Sequence, residues 1–403
     1  MKIFYVISDY FPPFRADIVE LFARQIANRG CKIDFLMRRD LSNKKQKEPL
    51  KWLSSTVFLT PYNKQVGLAG FLLNQILTIW GDLKIIRVAF YNRYSAIQVR
   101  DKCFAGLIAW LSAKLTGAKF FYWMSYAFVE SKLYENSKYP TLLSGLVWLK
   151  WNFIRLFLYR IILPIADHIF VQSEQMKNDL MKEGITSDKI TSVPMGVRAD
   201  RVGKAEDARE PKTEEPILLY LGTLYKLRQV DILVEVLKRV RVYYPKARLI
   251  YVGEGTVSDR RVIETRATRL NLSKEVNITG FVSMEEAWKY VEKADICFSP
   301  FLPIEPLLST SPTKLIEYMA MAKCIVANKH PEQCQIMADS GVGHCVPYDE
   351  EAFAEEVCSL LDNPRQAKSK AAKGPDWVRH NRTYDLIASE LQSKYNALLK
   401  TIC

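Results

Sequence analysis

No window of the 403-residue chain reaches the roughly 20 uninterrupted apolar residues that a membrane-spanning helix needs; the nearest, Gln65 to Trp80, stops short and contains Asn74 and Gln75. Eight cysteines, at 31, 103, 297, 324, 334, 345, 358 and 403, include no CxxC pair and no Cys/His cluster at zinc-ligand spacing, so they are expected as small apolar residues in a reducing compartment. Histidine is scarce and isolated (168, 330, 344 and 380), and no DxD carboxylate pair stands at a strand end. Metal-independent chemistry, with no metal and no cofactor, is therefore expected. A dinucleotide fingerprint is missing as well: the first strand ends in SDYFPP, and the lone GxG at Gly253 and Gly255 lacks the rest of GxGxxG, which argues against NAD. The opening MKIFYVISDYFPP is too short for a signal-peptide core followed by a cleavage site, and it reads as the first strand of a cytoplasmic protein.

What the chain does have is length for two domains and an uneven charge. Residues 1–200 hold 28 Lys/Arg against 16 Asp/Glu, a net +12, whereas residues 201–403 hold 29 against 28. A basic half suggests a polyanionic partner, either a nucleic acid or an anionic membrane surface. No aromatic-interleaved basic motif of an RNA or DNA module is present, which argues against nucleic acid.

Hydrophobic patterning supplies the architecture. A buried strand from Ile3 to Ser8, a Pro turn, a helix from Asp17 to Arg29 closed by Gly30 and a strand from Ile33 to Met37 open a βαβ unit, hence a parallel sheet with helices on its faces. Further strands are expected at Ile85 to Ala89, Ala96 to Val99, Lys119 to Met124 and His168 to Gln172, with helices at Lys64 to Asp82 and Thr141 to Ile165. Residues 199–216, charged and without apolar period, read as a linker. The pattern then restarts: strands at Ile217 to Leu221, Arg248 to Val252, Val276 to Thr279, Ile296 to Ser299 and Cys324 to Ala327 alternate with helices from Val230, Arg260 to Leu270, Met284 to Lys293 and Thr313 to Met321. The reading is an α/β chain of two Rossmann-like doubly wound domains facing a central cleft. Residues 1–198 form the first domain and 217–375 the second, and a final helix within 376–403 crosses back to the first. Leu386, Ile387, Leu391, Tyr395 and Leu398 share a face of that helix.

In a doubly wound sheet, strand C-termini and helix N-termini make phosphate sites. The turn YLGTLYKLR sets Gly222 and Thr223 at a strand end, followed by Lys226 and Arg228 within reach of a diphosphate; the alternative is an ordinary turn with solvated charges. SPFLPIEPLLSTSPTKLIEYMA runs from a strand end into a helix with Ser309, Thr310, Ser311 and Thr313 at its start, a set of hydroxyls and free amides suited to cradle a diphosphate. Glu317, one turn inside, is placed to accept hydrogen bonds from vicinal ribose hydroxyls, or merely to complement the helix dipole. Asp101 in QVRDK, Trp123 and Ser125 follow or end strands of the first domain; Trp123 serves equally as packing or as a sugar platform.

DYFPP after the first strand, ADHIFVQSEQMKNDL with VPMGV, YLGTLYKLR, YVGEG, ITGFVSMEEAWKYVEKADICFSPF and SPTKLIEYMAMAKCIVAN agree in order and spacing. Over nearly its whole length the chain resembles the family 4 glycosyltransferases of the GT-B fold. The resemblance implies a retaining transfer from a nucleoside-diphosphate sugar. It places the second glutamate of the family's spaced pair on Glu317 and the first on Ser309, and the family's Arg and Lys positions on Thr223 and Arg228. Gly253, Gly280, Phe281, Val282 and Lys314 fall in the donor-binding half, with Arg228, Lys226 and Glu317 as the catalytic set. Asp9, Tyr10, Arg15, Asp101, Trp123 and Ser125 fall on the acceptor side; Arg15-Ala16 replaces the family's glycine pair and Met124 its customary His.

The expected activity is transfer of a hexose to a hydroxyl of a lipid-linked or polysaccharide acceptor in bacterial surface-glycan synthesis. A sugar-nucleotide epimerase or hydrolase and a noncatalytic glycan- or membrane-binding relative are the alternatives. Arg38, Arg39, Lys44, Lys45, Lys47, Lys51 and Lys64 precede the amphipathic helix ending near Asp82. Cations beside an apolar face describe a peripheral surface for the anionic inner face of a membrane; otherwise that face packs on the sheet and the lysines are solvated.

Overall fold

Five consecutive buried residues, Ile3 through Ile7, make β1 (Lys2–Tyr10) a central strand, because only a strand covered on both faces reads as an unbroken apolar run. Phe4 and Val6 face one core and Ile3, Tyr5 and Ile7 the other, the period of two expected of a strand. The computed structural model describes residues 1–40, 49–62 and 68–400. They divide into two units, Met1–Pro194 with the residues from Tyr384 on, and Met195–Thr383.

In the first unit the strands are β1, β2 (Lys32–Asp40), β3 (Leu50–Trp52), β4 (Ser55–Tyr62), β5 (Ala96–Arg100), β6 (Lys119–Met124), β7 (His168–Val171) and β8 (Ile190–Ser192), in the order β3-β4-β2-β1-β5-β6-β7-β8. All neighbours run parallel except β3 on β4. The chain leaves β1 toward β2 and returns on its other side with β5, so the C-terminal ends of β1 and β5 flank a topological switch point, where such sheets bind ligands. The helices that matter below are α1 (Leu68–Asn92), α2 (Cys103–Thr116), α3 (Phe128–Lys138) and α4 (Ser144–Phe157).

Two expectations fail in α1. The strand foreseen at Ile85 to Ala89 is its last third: Ile85, Val88 and Ala89 are buried at helical spacing, although β-branched neighbours mimic a strand. The helix foreseen to end at Asp82 continues to Asn92, and Asp82 is not on a solvent-facing side. Gly81 lets the helix close on β4, where an added Cβ would stand 2.8 Å from Thr60 Cβ, and Asp82 beside it is buried in an ion pair with Lys102. Ile76, Ile79, Trp80 and Leu83 are exposed instead. Lys44, Lys45, Lys47 and Lys64 lie outside the described residues; Lys51 is exposed on β3.

In the second unit β9 (Ile217–Leu221), β10 (Arg248–Val252), β11 (Val276–Ile278), β12 (Ile296–Ser299), β13 (Cys324–Asn328) and β14 (Cys345–Val346) form a parallel sheet ordered β11-β10-β9-β12-β13-β14. Its switch point lies between β9 and β12. Residues 199–216 are not a free tether: Gly203 N donates to Ala320 O (2.8 Å), Lys212 N to Asp295 Oδ1 (3.0 Å), and Ala208 is buried. The single helix foreseen after Asp376 is two, Gly374–Asn381 in the second unit and Tyr384–Lys400 in the first. The latter buries Tyr384, Ile387, Ala388, Leu391 and Tyr395 against the Asp17–Ile26 helix, and Leu386 faces outward. Among the described residues no helix is long and apolar enough to cross a membrane.

Candidate active site

At the second switch point the chain leaving β9 turns at Gly222, whose φ of +141° excludes most side chains. Gly222 N donates to Val252 O (2.9 Å), and an added Cβ at Gly253 would lie 2.1 Å from Gly222 O, so the two strand ends are in backbone contact. Gly253 also bridges Gly280 after β11. Beyond them Phe281 is 76% exposed, an apolar ring left at a strand end with Val282 half-buried beside it.

Across the switch point, β12 runs through a pinned loop into the helix Thr313–Ala320. Asn328 clamps the loop by accepting from Phe301 N (2.7 Å) and donating to Phe301 O (2.8 Å). His330 Nε2 donates to Leu307 O (3.1 Å) while Nδ1 accepts from Gln333 N, and burial lowers its pKa to about 4, so it is a neutral structural group. The helix itself is anchored by Tyr318, whose buried hydroxyl accepts from Leu221 N at the end of β9 (2.9 Å). Leu315, Ile316, Tyr318 and Met319 bury their side chains, which leaves Lys314 and Glu317, three apart, on the remaining face.

Those two side chains make the centre of the candidate site. Lys314 reaches over Gly222, with its Nζ 5.3 Å from the Tyr220 ring centroid and 5.8 Å from that of Phe301. Desolvation, with the nearby Arg228 guanidinium, lowers the Lys314 pKa to about 7 against the pull of Glu317. Desolvation raises that of Glu317 to about 7, with Lys314 opposing. Among the described residues no hydrogen-bond or ion-pair partner meets the Glu317 carboxylate. A half-buried carboxylate without a donor is costly unless a ligand supplies one. Arg228 closes a short 3-10 turn, Lys226–Arg228, that is fixed by Lys226 N donating to Asp259 Oδ1 (2.9 Å) and by Gln229 at φ +47°. Thr223 is exposed on the same loop.

The hydroxyl cradle is smaller than foreseen. Ser309 Oγ donates to Glu305 O (3.4 Å), Thr310 Oγ1 to Leu307 O (2.7 Å), and Ser311 Oγ donates to Glu332 Oε1 (3.1 Å) while accepting from Met195 N (3.1 Å). Buried hydroxyls take the nearest acceptor, and here it belongs to the protein. The Thr313 hydroxyl, half-buried at the helix start, remains with the N–H groups that follow it, the Thr313 N–H itself donating to Ser311 O (2.9 Å).

In the first unit, Asp101 follows β5 at φ +51° and accepts from Ser125 through both backbone N–H (2.8 Å) and hydroxyl. Burial raises its pKa, opposed by Arg100. Asp9 pairs with Arg15 (2.7 Å), and Tyr10 packs edge-on to Tyr62. Trp123 does not join them. It is 1% exposed and wedged between Phe22 and Phe170, so packing is its role. The sequence reading missed Arg100 and Asp17, a buried pair at 2.6 Å to which Gln172 adds a donor and Ser125 an acceptor. The available signal was AIQVR itself: Gln98 and Arg100 share one face of an otherwise apolar strand, and a buried guanidinium requires a carboxylate.

Two doubly wound parallel sheets, each with its switch point at the first strand, define a two-domain Rossmann-like GT-B fold. Residues 18–201 match the model "Glycosyltransferase Family 4" and residues 215–363 the model "Glycosyl transferases group 1". The chain belongs to the family 4 glycosyltransferases. It is 24% identical over 240 residues to a glycogen synthase of Mycobacterium tuberculosis, covering 58% of this chain and 54% of that one. It is 25% identical over 219 residues to a phosphatidyl-myo-inositol mannosyltransferase of Mycobacterium leprae, covering 54% and 55%. The matched stretch thus spans about half the length of these curated relatives. A sucrose-phosphate synthase from Thermosynechococcus elongatus superposes with a TM-score of 0.77 at 16% identity, all of both chains covered. HepE of Anabaena in complex with UDP-glucose superposes at 0.70 and 14% identity, covering 98% of this chain and 100% of that one.

Proposed function

We propose that this glycosyltransferase moves a hexose from a nucleoside-diphosphate sugar to a hydroxyl of a lipid-linked or polysaccharide acceptor, retaining the anomeric configuration and using no metal ion. The observation that carries the reading is the placing of Lys314, Arg228 and a partnerless Glu317 around the Gly222 turn. Two cations and a helix N-terminus answer a diphosphate, and a lone carboxylate answers the vicinal hydroxyls of a ribose. Exposed Phe281 offers a platform for the base.

In this reading catalysis is mostly leaving-group electrostatics. Arg228, Lys314, Lys226 and the first-turn amides after Thr313 stabilise charge that develops on the departing diphosphate, while the acceptor hydroxyl attacks from the same face through an oxocarbenium-like transition state. Asp101, Ser125, Asp9 and Arg15 supply the acceptor side. A lipid-linked acceptor and the +12 charge of residues 1–200 both support an anionic membrane surface as partner, in the setting of bacterial surface-glycan synthesis. The test is consumption of UDP-, GDP-, ADP- and dTDP-sugars with and without polyprenyl-linked or glycan acceptors. Acceptor-dependent release of nucleoside diphosphate supports transfer. Turnover that needs no acceptor assigns the chain to sugar-nucleotide hydrolysis or epimerisation instead.

A further inference from the structure

Three helices of the first unit turn apolar residues outward, and each does so along a single stripe. On α1 the exposed residues include Ile76, Ile79, Trp80 and Leu83; on α2 they are Phe104, Leu107, Leu111 and Leu115; on α4 the stripe is Leu146, Leu149, Phe153 and Leu156, continued before the helix by Leu142. Spacings of three and four make each stripe one helix face, the face that solvent normally claims for charge. Indeed α4 has no buried residue at all. The stripes adjoin: α1 packs on α2 and is tied to its start by the Asp82–Lys102 pair, and Phe104 of α2 stacks on Phe157, which stacks on Phe153 of α4 (5.3 and 6.4 Å). An apolar surface across three helices exceeds what a soluble protein leaves to water without a partner.

We propose that this face of α1, α2 and α4 seats the protein on an anionic lipid bilayer; the assignment rests on the membrane partner proposed above and gives it a location. Charge selects the occupant. Asp82 is the only carboxylate in the three helices, and it is buried, whereas Arg87, Lys114 and Lys150 are exposed among the apolar residues. A second copy docking through the same face would bring cations against cations with no acid to answer them. Anionic headgroups supply that acid, and acyl chains take the Leu and Phe side chains. Trp80, 70% exposed on the α1 stripe, is an amphipathic ring of the kind that settles at a headgroup boundary.

The test is cosedimentation of the full chain with vesicles of phosphatidylcholine alone and of phosphatidylcholine with phosphatidylglycerol. The wild type should sediment with the anionic vesicles. Combined Ile79→Gln, Trp80→Gln, Leu149→Gln and Phe153→Gln should weaken that partition by about tenfold or more, with unfolding temperature and nucleotide-sugar affinity unchanged. Leu107→Gln with Leu111→Gln, a milder pair, should lower it by a smaller factor. Sedimentation of both variants equal to wild type overturns the face while leaving the membrane partner standing; no sedimentation of the wild type overturns both. A lipid-free dimer that the substitutions dissociate makes a second copy the occupant and overturns the proposal.

Discussion

A Cβ built on Gly222 would stand 2.3 Å from Lys314 Cε, so the glycine at the end of β9 and the lysine at the start of the opposing helix occupy each other's only free space. Gly222→Ala must displace the lysine and also adopt a backbone conformation that alanine disfavours. It should cost on the order of 1–3 kcal/mol in urea unfolding and weaken donor binding as well. Restored stability in the double variant with Lys314→Ala would attribute part of that cost to the contact.

Lys314 and Glu317 both titrate at about 7, from opposite directions. Lys314 lies below its unfolded value, so its contribution to stability is present above the unfolded pKa and is lost as pH falls from there through 7. Glu317 lies above its unfolded value, so its contribution is present below the ordinary Glu range and is lost as pH rises through 7. Near pH 8 the lysine is mostly neutral and the carboxylate mostly ionised. A diphosphate favours the charged lysine, and its binding should therefore take up about one proton. Calorimetry in buffers of differing ionisation enthalpy should show the uptake in wild type and none in Lys314→Met.

Arg228→Ala should lower turnover more than it raises the donor KM, because the guanidinium gains most as charge grows on the leaving diphosphate. A change confined to KM would show that Arg228 binds ground state and transition state equally.

Arg100 and Asp17 are each 3% exposed, so Arg100→Ala strands a buried carboxylate and should destabilise the first unit by about 3–5 kcal/mol. Arg100→Met with Asp17→Leu should recover much of the loss in the same denaturation series.

The second unit was largely legible in the sequence. Its strands β9, β10 and β12 coincide with the apolar runs read there, because buried parallel strands bounded by turns leave little ambiguity. The first unit was harder for a physical reason that also bears on its function. Cys103–Thr116 was missed and Ile85 to Ala89 misassigned because α1 and α2 carry apolar residues on their exposed faces, which erases the amphipathic signal. In the candidate site, Gly222, Arg228 and Glu317 were named from strand-end and helix-start positions. That Ser311 is consumed by Glu332 and Met195, and Arg100 by Asp17, depends on partners distant in sequence, which no local pattern reports.

The most direct measurement is calorimetric titration of wild type and Glu317→Ala with the panel of UDP-, GDP-, ADP- and dTDP-sugars. The carboxylate is proposed to hold the donor ribose, so one nucleotide class should bind the wild type and lose about 1.5–3 kcal/mol in the variant, the range for hydrogen bonds to a charged group. Folded Glu317→Ala with wild-type affinity, or a wild type that binds no member of the panel, would contradict the account.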